Sequence, residues 1–299
     1  MSPVTNHDAA PTPEADGVGT LLGNAIRDIG IPSCPAILNQ INAEMAKAEP
    51  DFRYIDRIIC SDVSLAASLI AIANSPFFGF RKRVRSVSEA LQMLGLGVAG
   101  RAIAGLILRK LFPPTPSLER FWHASACIAR LSGWVARKVP IAIKVRPDDA
   151  YTFGLFRDCG IPVLLRRFAE YPAVLKKANE EKELGFVAVE QSLCPTNHAA
   201  VGCLLAQSWW LPDEISLAIR HHHDQQLLDQ GTASKLPAIT LGLIATVQFS
   251  EYLFQRHTGL SQTREWDKLG ATCLWLLDIG AEDLPRILEE CAGVVADEH

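Results

Sequence analysis

The stretch NHAAVGCLLAQSWWLPDEISLAIRHHHD, residues 197–224, carries two apolar helical patterns, over 197–208 and 212–223, and closes on three imidazoles and a carboxylate in a chain with eight histidines. His and Asp both serve as metal ligands. Successive helical residues are rotated by about 100°, so His221, His222 and His223 cannot all point into one cavity, and at most two are useful together near a frayed end. The same residues also fit a polar helix end with nothing to bind, where imidazole interacts favourably with the C-terminal dipole.

Outward from this stretch the apolar spacing stays helical. In SDVSLAASLIAIANS (61–75), Leu65, Leu69, Ile72 and Ala73 recur at separations of three and four, with Ser61 or Asp62 as the cap, and the helix ends at NSPFFG. SVSEALQMLGL (86–96) holds a capping box of Ser86 and Glu89 ahead of Ala90, Leu91 and Leu94. Gly97, Gly100 and Gly105 in the next helix lower its propensity and predict close helix packing. PPTPS (113–117) then breaks the chain and marks the boundary between two subdomains.

A long helix follows, LERFWHASACIARLSGWVARK (118–138), and PDDAYTFGLFRDCG (147–160) opens on Pro147 and finishes on Gly160, a common terminating residue. Further helices are expected over 162–182, 186–193 and 238–256. No alternating β-branched run bounded by turns occurs, so no sheet is predicted. The expected fold is all-α, with a disordered tail over 1–17, one helical unit over 18–112 and a second over 117–293.

Composition narrows the function. With 48% hydrophobic and 21% charged residues the chain is globular, and a net charge of −4 argues against broad adhesion to DNA or anionic lipid. The start lacks the basic and apolar regions of a secretory signal, and no apolar run is long enough for a bilayer, so a cytoplasmic protein without membrane contact is expected. Eight cysteines without a C-x-x-C pair fit reduced, structural thiols. One local exception to the charge balance is Arg81, Lys82, Arg83 and Arg85, a basic loop that is either simply solvated or grips an acidic partner, a nucleotide phosphate or RNA; no aromatic residues interleave it.

GLFRDCGIPVL (154–164) resembles the metal-binding segment of HD-type phosphohydrolases, and 197–224 is similar to the stretch that supplies a His and then a His-His pair in that superfamily. Together with IPSCPAIL (31–38), residues 61–79, SVSEALQMLGL and FWHASACIA (121–129), the order resembles the HDOD family, the HD-related output domain of bacterial signalling proteins, over roughly residues 20–290. The resemblance implies an N-terminal helical subdomain packed on a degenerate HD-like one. It also implies ligand positions at His123, Arg157, Asp158, His198, His222, His223 and Glu251, with His221 at a variable position. WWLP (209–212) resembles the family's W-x-L-P turn, with a buried ring against a helix start.

Two departures bear on chemistry. Position 157 is Arg where the hydrolases have His, and Glu251 stands where they have Asp. A guanidinium has five donors and no acceptor, so it cannot ligate a metal and repels a cation nearby; it can form a fork-like pair with Asp158 or Glu251 and fill the charge position of a lost metal. DQQLLDQGTASKL (224–236) also lacks the Gly-Tyr-Pro signature of the cyclic-dinucleotide phosphodiesterases. The expected function is therefore a non-catalytic regulatory module that acts on a signalling protein partner. The alternatives are a metal-dependent phosphohydrolase or cyclic-dinucleotide phosphodiesterase using the remaining ligands, and an RNA- or nucleotide-binding scaffold. No cofactor is expected: the retained His and Asp form a hydrogen-bonded polar pocket, the alternative being one structural divalent metal held by four of them.

Overall fold

A computed structural model of the protein describes residues 28–229 and 233–296, in which all regular secondary structure is helical. The tail expected over 1–17, and the first residues of the unit expected over 18–112, lie outside the described residues.

Before the proline-rich break lie α1 (Ala36–Met45), α2 (Phe52–Cys60), α3 (Val63–Ala73), α4 (Val87–Leu94) and α5 (Leu96–Lys110). Side chains cap the starts of α2, α3 and α4, through Asp51, Asp62 and Ser86. Asp62 accepts from the Leu65 amide at 3.0 Å, which decides the cap of α3 in favour of Asp62 over Ser61. Ser86 accepts from the Glu89 amide at 3.1 Å, while the Glu89 carboxylate reaches one residue past the expected partner and accepts from the Arg85 amide at 2.8 Å. Gly95, at φ +75°, separates α4 from α5 and lets the chain bend by 118°. No single helix among the described residues is long and apolar enough to cross a membrane.

After the proline-rich break, Thr115 caps α6 (Pro116–Lys138), accepting from the Leu118 amide at 3.2 Å. The helix α6 lies along α7 (Pro147–Phe156), and α5 meets α7 where a β-carbon on Gly105 would stand 2.5 Å from Leu155 Cδ2. Gly97 and Gly100 have no neighbour nearer than 3.7 Å, so close packing is the role of Gly105 alone among the three. One apolar core runs from Ile41 and Leu91 through Val135 to Cys273, across the break.

Two helix boundaries differ from expectation. Gly160 does not terminate a helix but begins α8 (Gly160–Arg167), and the position is held by glycine because a β-carbon there would press on the backbone of the helix behind it. The helix expected over 162–182 is two, α8 and α9 (Tyr171–Glu180). Pro172 has no amide to bond the Phe168 carbonyl, and its ring would collide with it, so the chain breaks before Tyr171 and Pro172 opens the next helix.

The remainder comprises α10 (Phe186–Leu193), α11 (His198–Ser208), α12 (Asp213–His221), α13 (Gln225–Asp229), α14 (Ala238–Thr258), α15 (Glu265–Leu277) and α16 (Leu284–Ala296). At the turn between α11 and α12, Trp209 is buried and its Nε1–H donates to the Pro32 carbonyl at 3.1 Å. Trp210 is 70% exposed. All eight cysteines are free thiols.

Candidate functional site

The ends of α7, α10, α11 and α12 and the start of α15 meet in one buried polar cluster. The turn after α7 supplies Arg157 and Asp158. His198 is the first residue of α11, held there by Asn197, which accepts from the Ala200 amide at 2.8 Å. The chain leaves α12 at His222, so His222 and His223 turn inward, and His221 remains outside with its Nδ1 3.6 Å from Asp224. That division follows the rotation expected of consecutive helical residues.

Each inward imidazole is tied at Nδ1. His198 Nδ1 lies 2.7 Å from Glu190 Oε2, His222 Nδ1 lies 2.8 Å from the Ile219 carbonyl, and His223 Nδ1 lies 2.5 Å from Glu265 Oε2. An acceptor at Nδ1 selects the tautomer that leaves a lone pair on Nε2, the arrangement usual for metal-bound histidine. Tyr171 donates its hydroxyl to Glu190, and Lys268 donates to Glu265 at 2.9 Å, so the acceptors are themselves oriented.

The free edges converge. His198 Nε2 and His222 Nε2 are 3.3 Å apart, and Asp158 Oδ1 lies 3.5 Å from the first and 3.3 Å from the second. Asp158, His198, His222 and His223 each place a ligand atom within 4.8 Å of the others. Metal–nitrogen bonds of about 2.0–2.1 Å in a tetrahedral zinc shell set donor atoms roughly 3.4 Å apart. The residues thus fit one divalent cation, which when bound would supply Lewis acidity or simply close the cluster.

The protein's own charges also satisfy the cluster. Burial opposes protonation of His198, but the carboxylates of Glu190 and Asp158 outweigh it and raise its pKa. Burial and then neighbouring His223 push His222 down to about 3, so it is neutral and accepts at Nε2. Burial disfavours the charge on Asp158, yet Arg157 and the two imidazoles hold its carboxyl below the usual range.

Arg157 faces the other oxygen of Asp158. Its Nη2 lies 2.9 Å from Asp158 Oδ2 and 2.9 Å from Glu251 Oε1, and the residue is buried. The expected fork-like pair with one carboxylate is therefore corrected to a single nitrogen bridging two. Among the expected ligand positions, Asp158, His198, His222 and His223 come together, and Glu251 is joined to them through Arg157. His123 is not in the converging set: it lies on α6 with its ring 6.4 Å from that of Phe254 and its Nε2 3.9 Å from Cys127 Sγ. The Arg81, Lys82, Arg83 and Arg85 side chains are exposed on the loop before α4, outside the cluster.

Glu190, Tyr171 and Glu265 are absent from the sequence expectation. Glu190 carries a legible signal, because in FVAVEQSL it shares the buried stripe of Phe186 and Val189, where a carboxylate needs a partner. Nothing local marks Glu265.

The chain matches the HDOD domain over residues 31–225. A Treponema pallidum (strain Nichols) protein without assigned function is 26% identical over 201 residues, 65% of this chain, and this match spans only 38% of that relative's length. Among solved structures, an HDOD domain protein from Geobacter sulfurreducens superposes with a TM-score of 0.60 at 23% identity, over 95% of this chain and 99% of its own. A Shewanella amazonensis SB2B protein provisionally named a phosphohydrolase gives 0.64 at 16% identity, over 92% and 96%. A Marinobacter aquaeolei VT8 protein provisionally named a signal transduction protein gives 0.57 at 19%, over 95% and 66%. At these identities the likeness concerns the fold alone.

Proposed function

The chain belongs to the HDOD domain family, and from that premise we propose that it is a regulatory module that contacts a signalling protein and does not hydrolyse phosphate esters. The observation that supports this reading is the guanidinium of Arg157 between Asp158 and Glu251, with Nη2 2.9 Å from each. Dinuclear hydrolysis needs a carboxylate that bridges two cations, one on each oxygen. Here one oxygen of Asp158 is taken by a side chain that stays charged and offers no lone pair.

A second reading, hydrolysis by a single cation, has one observation in its favour, the 3.3–3.5 Å spacing among Asp158 Oδ1, His198 Nε2 and His222 Nε2. We assign that cation, when present, a structural role. The contact with an acidic partner is assigned to Arg81, Lys82, Arg83 and Arg85, which are exposed and have no carboxylate within ion-pair distance among the described residues.

Incubating the purified chain with a phosphodiester and with a cyclic dinucleotide, in the presence of added Mn²⁺ or Zn²⁺, separates the two. The expected result is no turnover above the protein-free rate. Turnover that disappears in His198→Ala and His222→Ala would make the protein an enzyme.

A further inference from the structure

The polar cluster is reached from the surface. Arg157, Asp158, His223 and Glu251 line a cavity of about 230 Å³, which shares Arg120, Phe121 and Asn179 with an outer cleft of about 900 Å³. Two features of this passage are unused by the ion pairs described above.

The first is Nη1 of Arg157. It is buried and has no hydrogen-bond partner, although the residue lines the inner cavity. Buried donors are nearly always paired, and leaving one bare costs more when the group is charged. The second is the charge of the outer cleft, where Arg120, Lys176 and Arg264 face Glu180 as the one acidic residue among those described. Of these cations Arg264 pairs on the exposed rim with Asp267, at 3.2 Å.

We propose that this passage binds a phosphorylated small molecule of the nucleoside monophosphate class, with its phosphate held at the mouth by Arg120, Lys176 and Arg264 and an uncharged acceptor at its inner end taking the Nη1–H of Arg157. Charge sets the direction. At its inner end the cavity holds the carboxylates of Asp158, Glu251 and Glu265 beside the guanidinium of Arg157, so a phosphate placed there would be repelled, whereas at the mouth, where Arg120 is shared with the outer cleft, it meets Arg120, Lys176 and Arg264 against Glu180 alone. Between the two ends, Phe121, Ile161, Leu175 and Phe186 offer apolar walls suited to a flat ring. A nucleoside monophosphate has the anionic end, the ring, and a carbonyl or ring nitrogen that accepts a hydrogen bond. Phosphate hydrolysis at the cluster requires the opposite polarity, with the phosphate innermost. The inference rests on the regulatory reading and deepens it, since a ligand bound this way is a signal and not a substrate.

The test is calorimetric titration of the full chain with the four ribonucleoside 5′-monophosphates, with the matching nucleosides and with inorganic phosphate, while ³¹P resonances report the integrity of the nucleotide. At least one nucleotide is expected to bind at one site and remain intact, about tenfold or more tighter than its nucleoside or inorganic phosphate. Saturation should shift the guanidinium resonances of Arg157. Arg120→Gln with Lys176→Gln, both exposed positions, should weaken binding about tenfold with the thermal midpoint unchanged. Absence of binding at millimolar concentration for all four nucleotides would overturn the site and leave the non-catalytic reading standing. Inorganic phosphate binding as tightly as the nucleotides, or indifference to the double substitution, would also overturn it. Phosphate release from bound nucleotide would contradict the non-catalytic reading instead.

Discussion

Gly160 backs onto His198: a β-carbon at position 160 would stand 2.1 Å from the His198 carbonyl oxygen and 2.9 Å from its carbonyl carbon. The starts of α8 and α11 are pressed together there, and this contact fixes how far Asp158 lies from His198. In Gly160→Ala the methyl meets backbone, which yields less readily than a side chain. The substitution should destabilise the fold by about 1–3 kcal/mol, the usual range for overpacking. Urea denaturation checks it, and an unchanged midpoint would show that the two helices are free to separate.

Arg157→Ala should cost more. It leaves Asp158 and Glu251 buried without their shared cation, and breaking a buried ion pair by removing one partner destabilises by about 3–5 kcal/mol. A loss below about 1 kcal/mol by chemical denaturation would place this guanidinium outside the cluster in solution.

Acid should weaken the fold through the carboxylates that orient the imidazoles. Burial works against the charge on Glu265, but His223 and Lys268 hold its carboxyl down to about 2; Glu190, buried likewise, is kept below its ordinary value by His198 and Tyr171. A carboxyl depressed in the folded state stabilises it above the unfolded pKa, about 4.3, and that stability is lost as pH falls through the folded value. Stability measured by urea denaturation should therefore decline from pH ~4.5 towards pH ~2, and Glu265→Gln should make the decline shallower. An identical pH profile in the variant would count against the His223–Glu265 pair.

The adjacent tryptophans should respond in opposite ways. Trp209→Ala empties a buried volume and frees the Pro32 carbonyl, with an expected cost of about 3–5 kcal/mol. Trp210 is exposed and sits at φ +62°, in the left-handed region that favours glycine, so Trp210→Gly should be neutral or slightly stabilising. Thermal unfolding of the two variants compares them directly, and a large loss in Trp210→Gly would contradict the assignment.

Much of this was legible because helical spacing is a local property. Leu65 and Leu69, the Ser86 cap and the long helix over 118–138 lie in the elements their neighbours predict, although that helix starts two residues earlier, at Pro116, and the ordered His198, His222 and His223 positions carry the family resemblance. What sequence leaves open is long-range. Whether Arg157 meets Asp158 or Glu251 depends on α14 passing beside the α7 turn, and the answer is both. The resemblance implies a ligand position at His123, yet on α6 its ring lies 6.4 Å from that of Phe254, outside the converging set. Gly160 looks like a terminator until the backbone of α11 behind it is known. Glu265 comes from a helix start more than forty residues beyond His222, and no spacing rule ties the two together.

On the reading proposed above, the guanidinium of Arg157 stands in for one of the two cations a dinuclear hydrolase would hold on Asp158. Elemental analysis of the purified chain, dialysed against Mn²⁺ or Zn²⁺ and compared with Arg157→His, tests it most directly. At most one bound divalent ion is expected per native chain, lost in His198→Ala, and a second ion only in Arg157→His. Two ions per native chain, with Asp158 bridging them, would contradict it.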